Sequence, residues 1–106
     1  MIKVSILYPY QEGVRFDHDY YRDRHMPLCQ ELLGEHCKGY TVDRGLAGAT
    51  LDTPPPYIAM CHLFFESLET FQIAMGAHAE RLNADVINYT DLLPQVQVSE
   101  VRAGRD

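Results

Sequence analysis

DHDYYRDRHMPL, residues Asp17 to Leu28, sets a single histidine inside an otherwise apolar helical stripe. With Asp17 as N-cap and about 100° of rotation per residue, Tyr21, His25, Leu28 and Leu32 fall within a sector of roughly 60°. His25 therefore points toward the core. Pro27 has no N–H to give to an uninterrupted helix, so the spacing predicts a kink, or a break followed by a second short helix with Pro27 in its first turn. Either would open space beside His25. A buried imidazole needs a partner there: a tyrosine hydroxyl, a carboxylate, a carbonyl, water or a ligand.

Outward from this stretch, Ile2, Val4, Ile6 and Tyr8 alternate with Lys3, Ser5 and Leu7 at the period of a strand. The helix is expected to run to Leu33, with Gly34 as C-cap, before a polar second strand at residues 38–46 that carries Tyr40, Val42, Arg44 and Leu46 on one side. Pro54, Pro55 and Pro56 end a loop that can continue neither helix nor ladder. Tyr57–Phe65 then gives the strongest strand signal. Ala59, Cys61, Leu63 and Phe65 occupy one face and Ile58, Met60, His62 and Phe64 the other, so both faces of the sheet must be covered there. Ser67 caps a helix with Leu68, Phe71 and Met75 at core spacing, and Gly76 is expected to end or weaken it before a short segment at 78–85. A turn at Asn88-Tyr89-Thr90 precedes a last strand, Gln95 to Arg102. The order β-α-β-β-α-β predicts one α+β domain over residues 1–106: a ferredoxin-like split βαβ unit with a four-stranded antiparallel sheet and helices on one face. The bare face is expected to meet a second copy in a homodimer.

Composition narrows the function classes. The 106 residues suit a single small domain, and the net charge of −6 with nine scattered Lys and Arg argues against a nucleic-acid partner. Seven tyrosines and four phenylalanines without tryptophan supply aromatic bulk with many polar tips, which suits a polar-lined pocket. Cys29, Cys37 and Cys61 form no CxxC pair and no disulfide framework, so reduced thiols and a cytoplasmic location are expected. No segment reads as an export signal or a membrane span.

The D-x-x-Y-Y-x-x-x-H-M-P-L stretch of Asp17 to Leu28, the A-x-x-x-L-x-F-E-S-L-E-x-F run of Ala59 to Phe71 and the turn from Asp85 to Pro94 resemble the EthD-domain proteins of the dimeric α+β barrel group. Ile87 stands where close relatives often carry proline. The resemblance implies a homodimer whose sheets pack face to face as a dimeric α/β barrel, with a small cavity between sheet and helices in each subunit. The family takes its name from a protein encoded beside a cytochrome P450 system for ether degradation, and barrel relatives include cofactor-free monooxygenases and lactone isomerases. The fold so implied settles nothing about reaction type. His25 in its apolar stripe beside Pro27 leads to the expectation of a cofactor-independent enzyme, oxidoreductase or isomerase/dehydratase in kind, acting on a small apolar oxygenated compound. The alternative is a non-catalytic ligand-binding accessory protein to an oxygenase system.

Among individual residues, His25 is the candidate acid/base, since an imidazole near its reference pKa of about 6.5 can serve either way at neutrality. The competing reading is a core histidine satisfied by a neighbour. Tyr21, one turn earlier on the same face, is the candidate donor to a substrate oxygen. Tyr20 is expected to pack. Tyr8, Tyr40, His62, His78 and Tyr89 are candidate ligand contacts. His62 would meet His25 if its face is the helix-covered one and would belong to the dimer interface otherwise, while His78 could close the cavity mouth. A metal site at His25, His62 and His78 has no support from spacing, and no Gly-rich phosphate motif points to a nucleotide cofactor. Neither metal nor cofactor is expected.

Overall fold

In the computed structural model, which describes residues 1–104, the chain runs through β1 (Ile2–Pro9), α1 (His18–Tyr20), a π-helical turn (Tyr21–His25), α2 (Met26–Leu33), β2 (Gly39–Arg44), β3 (Tyr57–Phe65), α3 (Leu68–Asp85) and β4 (Gln95–Glu100). The strands form one antiparallel sheet in the order β2-β3-β1-β4, which is the expected ferredoxin-like α+β arrangement. The two parities of β3 separate as the alternation predicts. Ala59, Cys61, Leu63 and Phe65 are buried in the core against the helices, and Ile58, Met60, His62 and Phe64 are half-buried on the opposite face. Ile2, Val4, Ile6 and Tyr8 pair with the buried set, so β1 presents them to the same core.

Pro27 does not break the helix. The chain passes from α1 through the π turn into α2, where Pro27 sits in the first turn, and the Met26 N–H donates to the Tyr21 carbonyl five residues back. A π turn holds more residues than an α turn, so the buried stripe slips by about one residue after it. Tyr21 and His25 are buried as expected, but downstream the core takes Met26, Cys29 and Leu33, leaving Leu28 and Leu32 half-buried at its edge. The Asp17 carboxylate accepts the Tyr20 N–H at 3.0 Å and caps the helix as read from sequence.

Three other expectations are corrected. Gly76 neither ends nor divides its helix: α3 is continuous over 18 residues, because Gly76 lies on the exposed face where only its helix propensity, about 1 kcal/mol below alanine, is lost. Leu68 is 53% exposed, and the buried positions of α3 are instead Ala74 and Leu82, with Phe71 and Met75 packed at the margin. The Ser67 cap is a reciprocal box with Thr70. The outer strands are shorter than the sequence suggests, ending at Arg44 and Glu100.

Gly34 closes α2 at φ 58°, ψ −138°, a conformation open essentially to glycine alone. Replacing Gly34 with Ala is expected to cost about 1–3 kcal/mol of stability, measurable by urea denaturation. A shift below about 0.5 kcal/mol would show that this turn relaxes freely.

Candidate functional site

The site is assembled from three segments far apart in sequence. Residues 15–17 are stitched to residues 87–91: the Asp17 N–H donates to the Tyr89 carbonyl at 2.8 Å, Thr90 Oγ1 donates to the Arg15 carbonyl at 2.7 Å, and Arg15 donates to the Ile87 carbonyl at 2.6 Å. Ile87 is thus held without proline. This stitching brings the buried Tyr89 against Tyr8 at the end of β1, with the two hydroxyls 2.6 Å apart. Tyr8, Phe16, Tyr21, His25 and Tyr89 form one aromatic cluster, in which the Tyr21 ring lies nearly parallel to the His25 imidazole, 13° between planes and 5.4 Å between centroids.

His25 has a carboxylate as its partner. Its Nδ1 lies 2.9 Å from Oδ2 of Asp85, the last residue of α3, while Asp85 Oδ1 accepts from the Tyr20 hydroxyl at 2.8 Å and from Asn88 Nδ2 at 2.9 Å. A carboxylate can only accept, so Nδ1 carries the proton and Nε2 presents a lone pair. Among the described residues Nε2 has no protein partner. Burial pulls the His25 pKa below the ordinary 6.5, although the hydrogen bond and charge of Asp85 act the other way, so the ring is neutral at neutral pH. For Asp85, burial would raise the carboxyl, but the bonds from Asn88, His25 and Tyr20 outweigh it and hold the group below the usual carboxylate range. Burial is also the main force raising the Tyr8, Tyr21 and Tyr89 hydroxyls, which stay protonated as donors.

A cavity of about 120 Å³ opens beside His25, between the sheet and the helices. Its walls are mostly apolar, with Val4, Ile6, Leu63, Phe71 and Met75 among them, and its polar groups are His25, Tyr8, Tyr89 and Asn83. Of the residues singled out in the sequence, His25, Tyr8 and Tyr89 therefore meet at one cavity. Tyr21 does not border it and acts on His25 through stacking. Tyr40 packs half-buried against the core from β2. His62 lies on the helix-free face of the sheet, its Nδ1 2.8 Å from Ser5 Oγ and its Nε2 3.5 Å from Asp43. His78 borders a separate depression with Gly34 and Lys38 and does not line the cavity, although Met75 and Leu82 on either side of it in α3 do. Asp85 is the residue the sequence reading missed, together with the hydroxyl role of Tyr20. Cys61 is inert as a nucleophile, its thiol pushed up to about 12 by burial. No cluster of metal-binding side chains occurs among the described residues.

A model of the EthD domain matches residues 13–93. The chain belongs to the EthD family. The matched span holds α1, the π turn, α2, α3 and the turn to Thr90, and with them His25, Asp85 and Tyr89, while the β1 and β4 walls of the cavity lie outside it. An EthD-like protein of Ralstonia eutropha JMP134 is 49% identical, with 98% of this chain and 94% of that one covered at a TM-score of 0.94. An EthD family protein of Bacillus halodurans C-125 is 20% identical over 94% and 97% of the two chains, with a TM-score of 0.74. A protein of Arabidopsis thaliana is 16% identical over 99% of each chain, with a TM-score of 0.68, and like the Bacillus protein it supports the fold alone. A comparison with curated proteins found no match.

The neutral, buried state of His25 links stability to pH. An unfolded histidine takes up its proton near 6.5, whereas His25 in this EthD domain resists protonation to lower pH. The stability owed to the neutral ring is thus fully present above about pH 6.5 and is lost as pH falls from there toward the depressed folded value. Urea denaturation at pH 7.5 and 5.5 is expected to show a smaller loss for His25→Gln than for the native chain. An equal loss in both would mean that His25 titrates alike folded and unfolded.

Proposed function

We propose that this EthD protein is a cofactor-independent enzyme that moves a proton on a small, mostly apolar oxygenated compound. One observation carries the reading: an Asp85-oriented, neutral His25 at an apolar cavity that also holds a tyrosine hydroxyl pair. His25 Nε2 takes the proton from a C–H bond beside a ligand carbonyl, and the electron pair of that bond moves onto the carbonyl oxygen as an enolate. Asp85 favours the imidazolium that forms. Whichever of Tyr8 and Tyr89 donates to its neighbour, the other's proton is free to bond the enolate oxygen. Tyr21 and Tyr20 act as positioning residues, the first stacked on the imidazole and the second bonded to Asp85. Return of the proton to the same or another carbon completes the step, which makes isomerisation or proton-assisted elimination the chemistry that needs least beyond these groups.

The reaction can be tested without knowing the natural substrate. Cyclohexanone is about the size of the cavity, and its α-hydrogens are expected to exchange in D2O faster with the native protein than in buffer, as followed by NMR. His25→Ala should reduce the enzymatic exchange rate by about 10²–10⁴-fold, the usual range for a positioned acid/base. Ketone binding with no exchange above buffer would instead support a carrier in an oxygenase system.

The working unit is proposed to be a cytoplasmic homodimer joined through the helix-free sheet face. Leu7, Ile58, Met60 and Phe64 are half-buried there with no helix over them, which supports a covering partner. Sedimentation is expected to give twice the 12.1 kDa chain mass. Met60→Asp, which sets a charge on that face, should shift the mass toward the single chain; a native chain that sediments at 12.1 kDa would contradict the assembly.

A further inference from the structure

We propose that the His25 cavity is the inner half of a two-part site, whose ligand is a ring-sized oxygenated head with an alkyl tail lying in the groove between Ile87 and Leu93. The inference rests on His25 facing a ligand, and it adds the ligand's shape and polarity. At about 120 Å³ the cavity holds roughly one ring, since an engineered apolar cavity of about 150 Å³ in another protein admits benzene. A groove of about 430 Å³ continues from it, with Asn83, Val86 and Pro94 lining both. The two together fall within the roughly 300–1,000 Å³ typical of small-molecule sites.

The groove also sets the chemistry of what lies in it. Of its three polar members two are already engaged: Asp91 holds Arg15 at 3.1 Å, and Thr90 Oγ1 donates to the Arg15 carbonyl while accepting from the Leu92 N–H. The third, Asn83, lines the cavity as well and so sits where the two parts join. Leu92 and Val86 pack into or against the core, but its outer apolar members do not. Ile87 is 64% and Leu93 87% exposed, and Val96, 60% exposed on the helix side of β4, borders the cavity beside them. Large apolar side chains left open at a cavity mouth mark a binding surface. Polarity thus runs from His25 and the tyrosine pair at the inner end to hydrocarbon at the outer end, which selects an amphiphile entering head first.

The test is calorimetric titration of the full chain with cyclohexanone and its 4-ethyl, 4-butyl and 4-hexyl derivatives. With the ring carbonyl at the inner end, the 4-substituent points to the mouth, and affinity is expected to rise about fourfold per methylene until the groove is filled. Leu93→Asp and Ile87→Asp alter only the outer groove, at exposed positions, and are expected to cut the gain below about twofold per methylene. Binding of cyclohexanone with no gain along the series would overturn the outer subsite and leave the reading of the inner cavity standing. A steep series that both variants leave intact would place the tail elsewhere and overturn it as well. So would a Leu93→Asp chain that loses its dimer in sedimentation while keeping the steep series, since a second copy would then occupy the rim. Failure of every member to bind would overturn both the two-part site and the ligand-facing reading of His25. A steep series without hydrogen exchange would retire the proton transfer alone.

Discussion

Three hydrogen bonds converge on the Asp85 carboxylate, and much of the site depends on that meeting. Through Tyr20 and His25 they join α1 and the π turn to the end of α3, across 65 and 60 residues of sequence, and through Asn88 they fix the 3₁₀ turn Val86–Asn88 that carries Tyr89 into place. A half-buried carboxylate tolerates this position because its oxygens are occupied by donors. In return it settles which imidazole nitrogen holds the proton. Removing one partner of such a pair leaves the other uncompensated, so the contact constrains the local fold and the chemistry together.

The π turn is the complementary constraint. Pro27 withholds an N–H from the helix, and the chain answers by widening one turn where an α-helix would have broken. That widening keeps Tyr21 and His25 stacked on the inward face and passes the core stripe to Met26, Cys29 and Leu33. A regular helix would have continued the stripe through Leu28 and Leu32. The site therefore uses a backbone irregularity in order to hold a functional side chain, as π turns often do.

Local patterns made much of this legible. Alternation in Ile2–Tyr8 and in both parities of Tyr57–Phe65 identified the two central strands, and the Asp17, Ser67 and Gly34 signals identified helix ends, because each reports a backbone requirement within a few residues. His25 stood out by the same logic, a polar group at an apolar period. Asp85 did not, since a carboxylate at the end of an amphipathic helix looks solvent-facing until the fold brings a residue 60 positions away against it. Tyr20 was read as packing for the same reason: helical phase gives its direction, but not the acceptor waiting there. The slip of the stripe and the persistence of α3 through Gly76 were missed because phase counting assumes a constant turn, and propensity at one exposed glycine is weak beside the packing of Ala74 and Leu82.

The EthD fold by itself leaves the reaction open, and the weight falls on the state of one ring. If the account is right, a neutral imidazole is held with its proton on Nδ1, leaving Nε2 free toward an apolar cavity. Long-range ¹H–¹⁵N correlation spectra of the histidine side chains, with His25 assigned by His25→Gln, read this directly. At pH 7 His25 is predicted to be the neutral Nδ1–H tautomer and to remain so below pH 6.5. A proton on Nε2, or a cationic ring at pH 7, would contradict the account.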